Sequence, residues 1–249
     1  MKKICLMDMD GTLTLPRKSM KKNTLKSLLE LKDKFKFGIV SGSDFDYIKE
    51  QCSDFLKNEV FDLQIFPCNG TKKYIKKNGI WVCDFSVDMK KEIGESNFRK
   101  LMFCLLNLQS SLYKNAYSEE IPLNGTFIQY RGSMINWCIP GRGSKDKGRE
   151  EFKTLDKKYN LRKLMIEKLK SNDFNYLNFA LGGSTSIDIY PKGWDKTFCL
   201  RHFSEKENIY FIGDKCSFGG NDFHIFEELK PNSFEVKNPQ ETIRILNKI

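Results

Sequence analysis

Asp8 and Asp10 stand two residues apart in the run Asp8-Met9-Asp10-Gly11-Thr12, directly after the short apolar stretch Ile4-Cys5-Leu6-Met7. That stretch reads as a buried strand. Ligands of open α/β sheets bind beyond the carboxyl ends of strands, so two carboxylates at this point are placed for chemistry rather than for solvation. Gly11 lets the chain turn sharply there. A D-x-D opening also heads the EF-hand calcium loop, but that loop needs its glycine at position six and here it is at four. A second acidic strand end lies late in the chain, where Ile209-Tyr210-Phe211-Ile212 runs into Gly213-Asp214-Lys215 and then Gly219-Gly220-Asn221-Asp222. Two strand ends that each offer a carboxylate make an oxygen-rich site suited to Mg²⁺, which takes few protein ligands and keeps waters. Lys196, in Gly193-Trp194-Asp195-Lys196, is the candidate to neutralise a phosphoryl group and hold the carboxylates in place. Ser41 and Ser43 could donate hydrogen bonds to a phosphoryl oxygen, although either alone would also serve as a helix N-cap.

These groups need a scaffold that brings distant strand ends together. Phe37-Gly38-Ile39-Val40 reads as a second strand, and Leu63-Gln64-Ile65-Phe66 as a third. Helices are expected over 24–35, where leucines recur at helical spacing, and from Asp44 to about Lys57. Strands alternating with helices argue for a parallel α/β sheet. Asn78-Gly79 between Tyr74-Ile75 and Ile80-Trp81-Val82 predicts a two-residue hairpin. The middle of the chain changes character. An amphipathic stretch over 89–114 precedes strands at 126–130 and 134–139, a charged helical region at 146–170, and strands at 176–181 and 185–190. Few strand–helix alternations occur there, so an α+β insert with an antiparallel sheet is expected. After Pro191 the first pattern returns, with a helix near 195–203. The expected fold is therefore α/β: a parallel-sheet core formed by residues 1–84 and 191–249, split by an α+β cap domain at 85–190.

Composition narrows the function. The chain has 249 residues, 40% hydrophobic and 30% charged, enough for a sizeable apolar core. Only four apolar residues stand between Lys3 and Asp8, which argues against a signal peptide, and no run approaches the ~18 apolar residues of a membrane span. A cytoplasmic location is the expectation. The eight cysteines stand singly, without C-x-x-C spacing, and read as reduced residues, mostly buried. The net charge of +10 is carried by 34 lysines and eight arginines. Where lysine serves for plain charge, each arginine is a candidate for a task that needs a planar, bidentate donor. Arg131, Arg142 and Arg149 fall within nineteen residues of one another.

The order of motifs (strand-D-x-D-G-T, strand-S-G-S, a lysine, then strand-G-D-x₄-G-G-N-D) resembles the haloacid dehalogenase (HAD) superfamily. Longer stretches are similar to the eukaryotic-type phosphomannomutases: D-M-D-G-T-L-T-x-P-R at 8–17, G-S-D-F at 42–45, G-T-F-I-x-Y-R-x-x-M-I-N at 125–136, G-R at 141–142, G-G-S-T-S-I-D-I-Y-P-K-G-W-D-K at 182–196, C-L-R-H at 199–202 and G-D-K-C-x-x-G-G-N-D at 213–222. The resemblance covers residues 4 to 245. It implies that Asp8 takes an aspartyl-phosphate and that Asp10 is general acid and base on the sugar oxygen. Mg²⁺ would be held by Asp8, the backbone carbonyl of Asp10, and Asp214. Arg17, Arg131, Arg142, Arg149, Ser186 and Asp188 would bind substrate, and all but Arg17 lie in the cap.

The activity that this resemblance implies is interconversion of mannose 6-phosphate and mannose 1-phosphate through a hexose 1,6-bisphosphate, which also serves as activator. The product would supply GDP-mannose synthesis, and the protein would be a homodimer through the cap. A HAD-type sugar-phosphate phosphatase or a phosphoglucomutase is the alternative. An arginine cluster gripping a second, unreacting phosphate distinguishes a mutase from a simple phosphatase. A nucleic-acid-binding module is disfavoured, because Asp8, Asp10 and Asp214 would repel a phosphate backbone and no RNA-binding signature is present.

Overall fold

The protein is described by a computed structural model covering residues 2–112, 120–206 and 208–249. The chain begins with strand β1 (Lys3–Met7), helix α1 (Lys22–Glu30), β2 (Phe35–Val40), α2 (Phe45–Gln51), α3 (Ser53–Lys57), β3 (Leu63–Phe66), β4 (Lys72–Lys77) and β5 (Ile80–Ser86). It continues with α4 (Met89–Ile93), α5 (Glu95–Leu112), β6 (Ile128–Tyr130), β7 (Ile135–Cys138), α6 (Asp146–Tyr159), α7 (Leu161–Lys170), β8 (Leu177–Gly182) and β9 (Ser186–Pro191). A 3-10 turn (Lys196–His202), β10 (Ile209–Gly213), α8 (Phe223–Glu228), β11 (Ser233–Glu235) and α9 (Pro239–Leu246) complete it. Two compact units result: Met1–Val87 with Gly193–Ile249, and Asp88–Lys192. The changeover follows the last strand bond of each piece, since Val87 N–H donates to Thr71 O and Lys192 N–H to Tyr176 O.

In the first unit a seven-stranded sheet has the order β11-β10-β1-β2-β3-β4-β5. The pairs from β11 through β3 are parallel, and the β4–β5 hairpin is added antiparallel at one edge. Alternate residues of β1 enter opposite cores, as the two-residue strand period requires. Cys5 and Met7 pack with Leu28, Phe37, Ile48 and Phe55, while Leu6 packs with Phe66, Leu200, Phe211 and Ile225. Burial on both faces is why β1 is apolar throughout its second half. Register then sets the chemistry. Met7 stands opposite Ile212 on one side and Ile39 on the other, so Asp8, Gly213-Asp214 and the Ser41 turn leave the sheet at one level.

The hairpin turn is as the sequence predicts, with Asn78 and Gly79 both at positive φ (52° and 76°). Helix boundaries differ. Helix α1 stops at Glu30 rather than 35, because Phe35 joins the sheet opposite Lys3 and turns at Leu31 and Lys34 make the connection. The helix expected from Asp44 to Lys57 breaks at Cys52, whose φ and ψ (−115°, 25°) leave the helical region. The 146–170 region is two helices hinged at Asn160, which takes the left-handed conformation that asparagine tolerates. The 89–114 stretch divides at Gly94 (φ 81°), and residues 113 and 114 lie outside the described residues. The segment near 195–203 is a 3-10 turn.

The second unit holds a four-stranded antiparallel sheet, β6-β7-β9-β8, with α7 packed against β8 and β9 and α4 beside β9. The β7–β9 pairing sets Asn136 opposite Asp188 and Cys138 opposite Ser186. No helix among the described residues is long and apolar enough to cross a membrane. All eight cysteines are free thiols, six of them buried.

Candidate active site

Asp8 is the first residue past β1, its N–H bonded to Ile212 O at 2.9 Å, and it is buried. Lys196 opens the 3-10 turn, where the preceding Asp195 caps it by accepting from Thr197 N–H at 2.9 Å. Its side chain is wholly buried and donates to Asp8 Oδ1 and, at 2.5 Å, to Asp222 Oδ1. The second oxygen of Asp222 accepts from the backbone N–H of Asp214 (3.2 Å) and of Lys215 (3.0 Å). Asp222 thus ties the lysine to the loop that carries Asp214. Gly11, at φ +94°, presses against that same loop, and a Cβ there would collide with the Asp214 carboxylate.

Asp8, Asp214 and Asp222 each bring a carboxylate oxygen within 4.8 Å of the others. Burial raises the Asp8 pKa to about 8; Lys196 opposes the shift, and Asp222 and Asp214 add to it. Asp214 is likewise pushed up by burial and by Asp222, against the pull of Lys215. For Lys196, burial disfavours the charge, but Asp222 and Asp8 outweigh it and hold the ammonium protonated. The cluster is short of positive charge, and Asp214 Oδ1 is buried without a hydrogen-bond partner. An orphaned carboxylate oxygen beside a second carboxylate is a hard donor set, and it fits a small divalent cation. Asp222 is the poorer ligand, because both its oxygens already accept from N–H donors.

Asp10 is partly buried, and its Oδ1 accepts from the Tyr47 hydroxyl at 3.2 Å and from Arg17 N–H at 3.4 Å. Burial raises its pKa, while those two donors hold it down. Arg17 is itself exposed, with left-handed φ of 59°. Ser41 is buried and accepts through Oγ from Ser43 N–H at 3.1 Å. Neither serine caps the following helix. Asp44 does, accepting from Tyr47 N–H at 3.0 Å.

The second unit gathers most of the other candidates around the β7–β9 pair. Arg142 Nη1 donates to Asn136 Oδ1 at 3.0 Å, and Asn136 Nδ2 donates to Asp188 Oδ1 at 2.6 Å. The Asp188 carboxylate lies over Gly182, where a Cβ would come within 2.6 Å of it. Arg149 donates to Ser144 O (3.1 Å) and to Thr185 Oγ1 (2.7 Å), beside the buried Ser186. Arg131 sits at the β6–β7 turn, bonded through its N–H to Met134 O and through Nε to Gln129 Oε1 at 3.4 Å. These contacts join Arg142, Asp188 and their linker Asn136, and tie Arg149 to Thr185, the residue before Ser186. Arg131 bonds to Gln129 of β6 and to Met134 just before β7.

Four residues in these networks escaped the sequence reading as site members: Asp222, Tyr47, Asn136 and Thr185. Asp222 and Asn136 lay inside stretches that carried the family resemblance, so the signal for them was present. Thr185 did too, but a threonine gives no chemical cue. Tyr47 gave none, because the partners of its hydroxyl are thirty or more residues distant in sequence.

A family profile described as eukaryotic phosphomannomutase matches residues 24–249. Phosphomannomutase 2 of Dictyostelium discoideum is 38% identical over 98% of this chain and 95% of its own length. The phosphomannomutase of Arabidopsis thaliana is 35% identical over 96% of this chain and 93% of its own. Among solved structures, an N-terminally truncated IMP-nucleotidase of Plasmodium falciparum superposes with a TM-score of 0.63 at 15% identity, covering 99% of this chain and 69% of that one. A trehalose-6-phosphate phosphatase related protein gives 0.51 at 16% identity, covering 98% and 96%. At such identities the structures share only the fold, which is that of the HAD enzymes. With the profile spanning most of the sequence and relatives aligned almost end to end, the chain belongs to the eukaryotic phosphomannomutase family.

Proposed function

We propose that the protein interconverts mannose 6-phosphate and mannose 1-phosphate through phospho-Asp8 and a hexose 1,6-bisphosphate, which also primes it as activator. Family membership, joined to a buried Asp8 bonded to Lys196, is the observation that carries this reading. Phosphoryl transfer passes through a loose transition state, so catalysis is chiefly positioning and charge stabilisation. An Asp8 oxygen attacks phosphorus. The bond from phosphorus to the sugar oxygen breaks, and its electron pair leaves with that oxygen, which takes a proton from Asp10. In the other half-reaction a hydroxyl of the sugar monophosphate gives its proton to Asp10 and attacks the phosphorus of phospho-Asp8. The Asp8–phosphorus electron pair returns to the carboxylate, and the bisphosphate so formed turns end for end before Asp8 takes its other phosphate. Lys196 holds Asp8 in line, and Asp222 holds Lys196.

Asp8, Asp214 and the backbone carbonyl of Asp10 would hold Mg²⁺. Bound there, the ion supplies positive charge for the phosphoryl oxygens. Arg17, Arg131, Arg142 and Arg149, with Ser186 and Asp188, grip the phosphate and sugar that are not reacting, since guanidinium groups match phosphate bidentately and stay charged. The reading extends to a cytoplasmic homodimer, paired through residues 85–190, that supplies mannose 1-phosphate for GDP-mannose synthesis. It involves no nucleic acid or membrane.

The test is incubation with mannose 1-phosphate, Mg²⁺ and catalytic hexose 1,6-bisphosphate, with mannose 6-phosphate and free phosphate measured separately. Isomer as the main product supports the proposal. Free phosphate as the main product would make the protein a phosphatase, and faster turnover of glucose 1-phosphate would make it a phosphoglucomutase. Arg142→Ala or Arg149→Ala should lower isomerisation on the order of 10²-fold in kcat/KM and lower hydrolysis much less. Added bisphosphate should restore part of the activity, because its premature escape leaves the enzyme dephosphorylated. Lys at either position should be intermediate. Equal losses of both reactions, with no rescue, would count against a grip on a second phosphate.

A further inference from the structure

Asp10 has two carboxyl oxygens, and its surroundings treat them differently. Oδ1 accepts from the Tyr47 hydroxyl at 3.2 Å and from Arg17 N–H at 3.4 Å. The same Arg17 N–H donates to Tyr47 Oη at 3.2 Å, so the hydroxyl has an N–H donor behind it and turns its own hydrogen toward Asp10. Tyr47 is held in its turn. It is the third residue of α2, and its N–H is fixed by the Asp44 cap at 3.0 Å. The next residue, Ile48, is anchored in the core with Met7, Ile39 and Phe55. The phenol is therefore mounted on a rigid element beside the strand ends that carry the site.

We infer that Tyr47 is a positioning residue for proton transfer: its hydroxyl, with Arg17 N–H, keeps Asp10 Oδ1 as an acceptor and leaves Oδ2 as the oxygen that gives and takes the sugar proton. A carboxylic acid that accepts hydrogen bonds on one oxygen carries its proton on the other. Fixing that oxygen also stops the carboxyl group from rotating, which is what orientation contributes to catalysis. This rests on the proposed role of Asp10 as general acid and base. It does not depend on which sugar phosphate is turned over, because every alkoxide leaving group needs the proton.

Tyr47→Phe removes one oxygen and keeps the ring. The test is the rate of phosphoryl transfer to Asp8 in a single turnover at saturating substrate and Mg²⁺, with the folded fraction checked by thermal melting. Hexose 1,6-bisphosphate, whose leaving oxygen must be protonated, is compared with p-nitrophenyl phosphate, whose phenolate leaves unaided. Tyr47→Phe is expected to slow transfer from hexose 1,6-bisphosphate about 10-fold, with the half-saturating concentration little changed, and to leave nitrophenol release at the wild-type rate. Equal losses with both substrates would mean that the phenol only supports the fold, and would overturn the inference. No loss with either would overturn it too. The comparison reads the first chemical step alone, so it stands apart from the isomer-to-phosphate ratio that tests the mutase reading.

Discussion

Replacing Asp8 by asparagine is expected to lower both isomerisation and hydrolysis by at least ~10²-fold in kcat, while the melting temperature holds or rises. In the proposed reaction the carboxylate is the nucleophile, and an amide oxygen in its place offers neither the charge nor the basicity to attack phosphorus. Stability should survive for a reason visible in the site. Asp8 shares a buried pocket with Asp214 and Asp222, and burial with those two neighbours disfavours its ionised form. An asparagine still accepts from Lys196 through its Oδ1, and it removes one of the crowded negative charges. Rapid acid quench would find no phosphorylated protein after incubation with hexose 1,6-bisphosphate. Retention of more than about one percent of wild-type kcat would remove Asp8 from the role of nucleophile.

How much of this site could be read from the chain alone depends on what holds each residue. Asp8 and Asp214 were legible because an apolar strand points at each of them, and strand ends are where open α/β sheets work. The register of β1 against β10, which brings the two together, is then a consequence of two strands buried on both faces. Lys196 was legible as a candidate cation for the acidic strand ends, but not as a buried residue. Nothing in Trp194-Asp195-Lys196 says that the lysine is buried, since its partners lie 188 and 26 residues distant. Asp222 was visible as a residue but not as a role, for its work is done by accepting from Lys196 and from two backbone N–H groups. Tyr47 was invisible for the same reason: it acts by contact, and contact has no local pattern.

The fold shows the same division. The hairpin at Asn78-Gly79 was legible because the turn chemistry is local. The alternation that announced the parallel sheet was legible because it repeats. Helix ends were not. Breaks at Cys52, Gly94 and Asn160 fall where packing demands a change of direction, and the apolar spacing runs on past them. The arginines fell between these cases. Their scarcity among so many lysines drew attention to them, yet their arrangement depends on the pairing of β7 with β9, which lets Asn136 stand between Arg142 and Asp188.

Lys196→Met should produce the largest loss of stability of any single substitution in the site, and a catalytic loss with it. Methionine reproduces the lysine stem out to Cε and lacks only the ammonium, so most of the space is filled and the packing against the 3-10 turn is kept. What disappears is the cation that answers two buried carboxylates, Asp8 and Asp222, both of which touch its ammonium. Removing one member of a buried ion pair while its partners stay costs about 3–5 kcal/mol. For a chain of this size that corresponds to a fall in melting temperature on the order of 10 °C, measured in EDTA so that no metal compensates. The accompanying loss in kcat should reach ~10²-fold or more, since the nucleophile is no longer held in line and the developing phosphoryl charge is unanswered. A second substitution separates the two effects. Lys196→Met with Asp222→Asn removes the uncompensated charge at 222 and keeps an Oδ acceptor for the Asp214 and Lys215 N–H groups. The double variant should recover much of the lost melting temperature and none of the activity. If the single variant melts like wild type, Lys196 is not the cation that answers those carboxylates, and Asp8 must be held in line by another group.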